Sequence, residues 1–173
     1  MKSMLTVAAG ATALLLAFGT TPALAQDDPT IVAIFDAANT ADIETGKLAE
    51  KRGQSQQVRD FGAMLARDHA TVRQMGRDLA KKLNVTPTPP TPDEGKAAHQ
   101  AAMKRLTSVS DAEFDRAFLL YEVSFHKSVI DAINTTLLPA IDNAELKALV
   151  VKVAPAFQGH MMAAEQMEKK LPK

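Results

Sequence analysis

The sequence contains no cysteine and no tryptophan, and it has a single tyrosine. Without cysteine, the chain has no disulfide, no thiolate metal ligand, no cysteine nucleophile and no lipid attached through a cysteine. Basic and acidic residues number 20 each, and their signs are interspersed along the chain. Nucleic-acid binding needs a basic stripe, so we predict no nucleic-acid partner.

A long apolar run is also missing after the N-terminus. The first segment has Lys2, a short apolar stretch from Met4 to Phe18, and then Ala23-Leu24-Ala25, which has the small-x-small form of a signal-peptidase site. We therefore predict that residues 1–25 are a signal peptide and that residues 26–173 form one exported domain, periplasmic or secreted, without a membrane span. An uncleaved N-terminal anchor is the alternative.

The strongest pattern that is present lies in residues 55–83. Apolar side chains recur there every three or four positions, which predicts one stripe of a long amphipathic helix: Val58, Phe61, Leu65, Val72, Met75, Leu79 and Leu83. His69 falls within this stripe, and Asp68 lies on its edge. The helix is therefore expected to point an imidazole into whatever it packs against.

Three more long helices are predicted around this one. The first covers residues 30–52, the third opens at Ser110 and the fourth opens near Asp142, each of the last two at a Ser/Asp-x-x-Glu motif. Residues 84–109 begin with four prolines in nine residues and are too long for a plain turn. Residues 93–107 look weakly helical, so a short helix is expected within this crossover. The pattern predicts an all-α fold, a ferritin-like four-helix bundle with a long crossover between helices two and three.

The histidines carry the candidate chemistry. His69, His126 and His160 lie on core faces of three different helices. Asp42 and Glu122 are inward carboxylates on helices one and three, with Asp42 near the rim of its face, about 60° from the centre. Counted from the two hairpin turns at about 1.5 Å of rise per residue, Asp42 and the three histidines lie near the middle of the bundle, with mismatches of roughly 6–8 Å. Imidazole nitrogens with one or two carboxylate oxygens predict a site for one divalent transition-metal ion.

Two neighbouring residues are expected to stay outside this set. Asp68 is about 100° from His69 on the helix, so it is predicted to support the site from outside or to face solvent. His99 lies in the crossover and is predicted to be exposed.

Other functions compete with metal binding. A structural or interaction module of the cell envelope, with a ligand-free histidine network, is the main alternative, and a redox enzyme is a third. Ferritin-type di-iron sites need Glu-x-x-His on two helices, but the residues three before the core histidines are Ala66, Val123 and Phe157. Iron storage is therefore disfavoured, and no Ser–His–Asp set is visible.

Several segments together resemble a known family. They are residues 41–49 (ADIETGKLA), Val58-Arg59-Asp60-Phe61 with Asp68-His69, Phe114-Asp115 with Tyr121 and His126, and Pro155 with His160. The chain resembles the exported bacterial family catalogued as domain of unknown function 4142, which is a ferritin-like group. The resemblance implies export and a helical bundle, and it brings no established activity. The chain departs at Asp42, where glutamate is expected in many members and the shorter side chain has less reach.

Overall fold

The chain folds into an all-α bundle in the computed structural model, which describes residues 27–172. Within these residues five helices pack together: α1 (Asp28–Arg52), α2 (Gln56–Lys82), α3 (Glu94–Ser108), α4 (Asp111–Ala132) and α5 (Ala144–Glu168). Helix α4 continues into a π-helical turn, Ile133–Leu137, and a short turn, Leu138–Ala140. The predicted all-α bundle is therefore confirmed, with a fifth helix inside the predicted crossover.

The helix starts follow from capping side chains. Asp27 accepts a hydrogen bond from the backbone N–H of Thr30, and Ser55 accepts one from that of Val58. Each side-chain oxygen satisfies a first-turn N–H group that has no partner within the helix, so α1 and α2 begin at these caps. The predicted motif at Ser110 marks the right boundary, but its hydroxyl bonds the Glu113 carboxylate instead of a backbone N–H. The motif at Asp142 was misplaced by one residue, because Asn143 caps α5.

The long helices form two hairpins. A tight link at Gly53 makes α1 and α2 neighbours, and α4 and α5 form the second hairpin. Helix α2 then packs on α5, and α1 packs on α4. Helix α3 lies along α1, where Arg52 donates to the carbonyl oxygen of Leu106 over 2.8 Å and the Leu106 side chain is buried.

Close contact between α1 and α2 depends on two glycines. A Cβ atom added at Gly46 would lie 2.6 Å from the carbonyl oxygen of Gly62, and one added at Gly62 would lie 2.6 Å from that of Gly46. Any larger side chain would therefore push the two backbones apart. These positions lie one turn beyond Asp42 and two turns before His69, so the contact sets the distance between the two helices at the level of the candidate site.

The apolar core has two parts with a polar layer between them. One cluster joins the start of α1 to the start of α5 and includes Ile31, Phe35 and Phe157. The other joins the start of α2 to the start of α4 and includes Leu65, Phe114 and Phe118. The buried histidines and carboxylates lie between these clusters, so the middle of the bundle is its polar region.

The predicted signal peptide, residues 1–25, lies outside the described residues. Between residues 27 and 172, none of the helices has the length and apolar character needed to cross a bilayer.

Candidate metal site

All five predicted site residues meet in the polar layer. Asp42, Glu122 and His126 are fully buried, His69 is 1% exposed and His160 is 8% exposed. Asp42 comes from α1, His69 from α2, Glu122 and His126 from α4, and His160 from α5. The sequence-based prediction that these side chains share one level of the bundle therefore agrees with the geometry. All four long helices contribute to the layer.

The three imidazole rings lie next to one another, tilted or edge to face. Nε2 of His69 lies 3.1 Å from Nδ1 of His160, and the ring centroids of His126 and His160 are 5.5 Å apart. Each of the three rings places one nitrogen within 4.8 Å of a nitrogen of the other two. Phe157 packs against His69 with its ring centroid at 4.9 Å, so the group is walled by apolar carbon on one side.

Each histidine is held from outside by an oxygen. Nδ1 of His69 lies 2.9 Å from Oδ1 of Asn39, whose amide nitrogen donates to the Phe35 carbonyl oxygen. Nδ1 of His126 lies 3.0 Å from the backbone carbonyl oxygen of Glu122. Because a carbonyl or amide oxygen can only accept, these two nitrogens must carry protons. The Nε2 atoms of His69 and His126 are therefore unprotonated in the neutral rings.

His160 has the opposite orientation. Its Nε2 atom lies 3.2 Å from Oδ2 of Asp68, and a carboxylate oxygen accepts, so Nε2 carries the proton. Its Nδ1 atom then points a lone pair at His69. Oxygen partners on the outer nitrogens of ligating histidines are the usual way in which proteins fix ring orientation at metal sites.

The two buried carboxylates complete the layer. Oδ2 of Asp42 lies 3.3 Å from Nε2 of His69 and 3.9 Å from Nε2 of His126. Thr45 donates its hydroxyl to Oε1 of Glu122 over 2.9 Å, whereas Oε2 of Glu122 lies 3.4 Å from Nδ1 of His126. Asp42, Glu122 and His126 also form a second group with ligand atoms within 4.8 Å of one another. The shorter aspartate thus reaches the histidines.

Several polar atoms of this layer lack a hydrogen bond. Among the described residues, both carboxylate oxygens of Asp42, Oε2 of Glu122, Nε2 of His126 and the hydroxyl of Tyr121 are buried without a hydrogen-bond partner. Most buried polar atoms in proteins are paired, so this concentration in one layer calls for a ligand or a shared proton.

Burial dominates the electrostatics of the site. It lowers the pKa of His69 to about 2, with help from neighbouring His126 and His160, and it lowers the pKa of His160. Burial first, and then the charge of nearby Glu122, raise the pKa of Asp42 well above its usual range. The Tyr121 pKa is also raised, first by burial and then by the charges of Glu122 and Asp42. Near neutral pH, His69 and His160 are therefore neutral rings with a free lone pair.

Two expectations beside the site have different outcomes. Asp68 is half exposed and bonds His160, so it supports the site from outside as predicted. His99 was predicted to be exposed, but its side chain is only 17% exposed and its Nε2 lies 2.7 Å from Oε2 of Glu44. The docking of α3 along α1 leaves it only partly exposed. Asn39 was not predicted to contact the site. Its position one turn before Asp42, on the same face of α1, could have indicated this contact.

Comparison with known proteins identifies one family. The family model described as "Domain of unknown function (DUF4142)" matches residues 13–167 of the chain. That match begins inside the predicted signal peptide and covers every residue of the candidate site. Neither the curated proteins nor the solved structures contain a match.

Proposed function

The chain belongs to the DUF4142 family, and we propose that it binds one divalent transition-metal ion through the buried histidines and carboxylates. The family supplies no activity, so the proposal depends on the site itself. The observation that carries it is the approach of two imidazole lone pairs, on Nε2 of His69 and Nδ1 of His160, to 3.1 Å.

Two lone pairs at this distance repel each other unless a cation or a proton lies between them. Asn39 and Asp68, on the outer side of the two rings, already accept hydrogen bonds from their N–H groups. Nε2 of His126 adds a third lone pair without a partner. A metal ion among the three nitrogens satisfies all of them at once, and metal–nitrogen distances of about 2.0–2.1 Å suit zinc-like ions.

The charges of the layer favour a divalent ion. Carboxylates and imidazoles bind a cation in their deprotonated forms, so two ligating carboxylates would bring a charge of −2, which one divalent cation neutralises. Without a cation, burial of both charges is costly, and the raised pKa of Asp42 expresses that cost. Asp42 is the carboxylate nearest the histidines, so it is the first oxygen ligand, and Glu122 is the second.

The donor types narrow the choice of metal. Imidazole suits zinc, copper(II), iron, cobalt and nickel, and carboxylate oxygen adds manganese, whereas copper(I) prefers thiolate or thioether sulfur. The chain has no cysteine. The five site residues offer no sulfur, so the proposed ion is a divalent one such as zinc, iron, copper(II) or manganese.

One observation favours a second candidate, a ligand-free module of the envelope. Asp68 lies within 3.2 Å of His160, and a carboxylate there stabilises a protonated imidazole. A doubly protonated His160 would donate from Nε2 to Asp68 and from Nδ1 to His69, which satisfies the short contact without metal. This arrangement leaves Nε2 of His126 and the Asp42 carboxylate unpaired, so it is the weaker account.

We also propose the ferritin-like connectivity and export for this chain. The two hairpins α1–α2 and α4–α5, joined by a long connection that contains α3, support that connectivity. The carboxylates of α1 and α4 and the histidines of α2 and α5 occupy matching places in the two hairpins. Cleavage after Ala25 is tested by the intact mass of the exported protein, and retention of residues 1–25 would contradict it.

The metal proposal is tested by melting the tag-free protein with and without zinc, iron(II), manganese or copper(II). An ion that binds only the folded state raises the midpoint with its free concentration. His69→Ala, His126→Ala and His160→Ala should each remove most of that rise. His99→Ala is the matched control, because this histidine contacts Glu44 instead of the site. If no ion raises the wild-type midpoint, the ligand-free module is the better account.

A further inference from the structure

The five site residues differ in their distance from solvent. His160 is 8% exposed, whereas the other four are between 0% and 1% exposed. The Asp68 side chain is 49% exposed, and its Oδ2 atom contacts Nε2 of His160. A surface carboxylate is therefore joined directly to the least buried of the site histidines. This junction lies where α2 and α5, from different hairpins, pack together.

The other sides of the site are closed. The apolar clusters around Phe35 and Phe118 fill the bundle on either side of the polar layer, and apolar side chains give a cation no ligands. On the α1 side, α3 covers the helix, with His99 beside Glu44 near the level of Asp42. Asp42 itself and Thr45 are fully buried.

We propose that the cation reaches the site between α2 and α5, and that Asp68 captures it at the surface before His160 and His69 bind it. This inference rests on the proposed metal function. The carboxylate attracts the hydrated ion, and His160 is the first interior donor that the ion meets. Nε2 of His69 lies 3.1 Å beyond it. Asp68 then bonds His160 again and holds the ring in its ligating orientation.

A purely orienting role for Asp68 makes a different kinetic prediction. If Asp68 only holds the His160 ring, its loss loosens the bound ion and speeds dissociation, while association is unchanged. If Asp68 also captures the ion, association slows. A unit negative charge about 4 Å from a divalent cation changes an encounter by up to about 30-fold in water, and added salt weakens that effect.

The experiment follows cobalt(II) uptake by the full chain in a stopped-flow instrument, through the absorption of the bound ion. The variants are Asp68→Asn and, as a matched control, Asp78→Asn, which removes another exposed carboxylate of α2 that bonds Gln74 instead of the site. We expect the association rate to fall about threefold or more in Asp68→Asn relative to Asp78→Asn, and the difference to shrink at high salt. Dissociation into a chelator is measured in parallel.

The outcomes separate the two proposals. A difference in association rate below about threefold overturns the capture role, even if dissociation is faster in Asp68→Asn. If the wild type takes up cobalt but the two variants differ by less than this amount, the proposed metal site stands and the ion enters by another route. No uptake by the wild type, under conditions where the protein is folded by circular dichroism, overturns both proposals.

Discussion

Nε2 of His69 and Nδ1 of His160 lie 3.1 Å apart, although the two residues are 91 positions apart in the chain. Their outer nitrogens are held by Asn39 and Asp68, so both inner nitrogens present lone pairs. The contact joins α2 to α5 and so joins the two hairpins. The chemistry proposed for this protein depends on what lies between these two atoms.

The raised pKa of Asp42 predicts a pH dependence for the metal-free protein. The pKa of an unfolded aspartate is about 3.8, and burial raises the value in the folded state. Between the two values the folded state binds more protons, so stability falls as pH rises. Asp42→Asn cannot ionise, and its amide can donate to a histidine lone pair. We therefore expect the variant to gain stability relative to wild type from pH 4 to pH 7.

Urea denaturation at several pH values with a chelator present measures this difference. Asp60→Asn, an exposed change on α2, should stay within about 0.5 kcal/mol of wild type. A difference between Asp42→Asn and wild type that is flat with pH, or that reverses sign, would contradict the buried-carboxylate interpretation.

Phe61 tests the apolar cluster on the α2 side of the site. Its side chain is 6% exposed and meets Phe118 edge to face, with ring centroids 6.2 Å apart. Phe61→Ala should lower the free energy of unfolding by about 3–5 kcal/mol, because it leaves a cavity. Glu50→Ala changes an exposed residue and should cost less than about 0.5 kcal/mol. Equal losses of unfolding free energy in denaturant melts would mean that Phe61 and Glu50 are wrongly assigned to the inner and outer faces.

Asp115 fastens the α1–α2 link to α4. Its two carboxylate oxygens accept from the backbone N–H groups of Gln54 and Ser55 at 2.7 and 2.9 Å, and the residue is buried. Asp115→Ala should cost about 2–4 kcal/mol, because two donors lose charged acceptors. Asp111→Ala breaks an exposed pair with Arg52 and should cost about 1 kcal/mol or less. Thermal melts that rank the two in the opposite order would refute the fastening role.

The segment between α2 and α3 should be the first site of proteolysis. Residues 85–93 have no helix and are mostly exposed, whereas α3 is held by Arg52 and by the buried Leu106. Local opening is easiest where few apolar contacts must break. Mass spectrometry of early fragments should locate cuts there. Early cuts within α2 or α3 would show that the bundle is less stable than its packing indicates.

The sequence predicted the helices well because their apolar periodicity is strong, as in residues 55–83. It also placed His69, His126 and His160 on inner faces. It placed Asp42 about 60° from the centre of its helix's inner face, whereas the residue is fully buried. A helical wheel assumes one buried stripe, but α1 packs against α2, α3 and α4, so its buried arc is wider.

Heights within the bundle were harder to predict. Counting residues from each hairpin turn left mismatches of roughly 6–8 Å within each hairpin at about 1.5 Å per residue, yet Oδ2 of Asp42 lies 3.3 Å from Nε2 of His69. The counting compared backbone heights, whereas side chains lean toward the N-terminus of their helix, so the two side chains of an antiparallel pair lean toward each other. The contact of His99 with Glu44 was not predictable in this way, because it depends on where α3 docks on α1.

Asn39 contacts the site through His69. Its Oδ1 atom accepts from Nδ1 of His69 over 2.9 Å and keeps Nε2 free to bind metal. Asn39→Ala removes this acceptor, lets the ring protonate at either nitrogen, and should weaken metal binding by about 10- to 100-fold. Asn39→Asp keeps an acceptor at the same place and should restore most of the affinity.

Competition with a chromophoric chelator measures these affinities. Asn134→Ala is the matched control, because Asn134 is exposed in the π-helical turn outside the site. A purely structural role for Asn39 predicts that both Asn39 variants lower the melting midpoint and that neither changes the affinity of the protein that remains folded. If Asn39→Ala binds metal as tightly as Asn134→Ala, the fixed orientation of His69 is not what prepares the site.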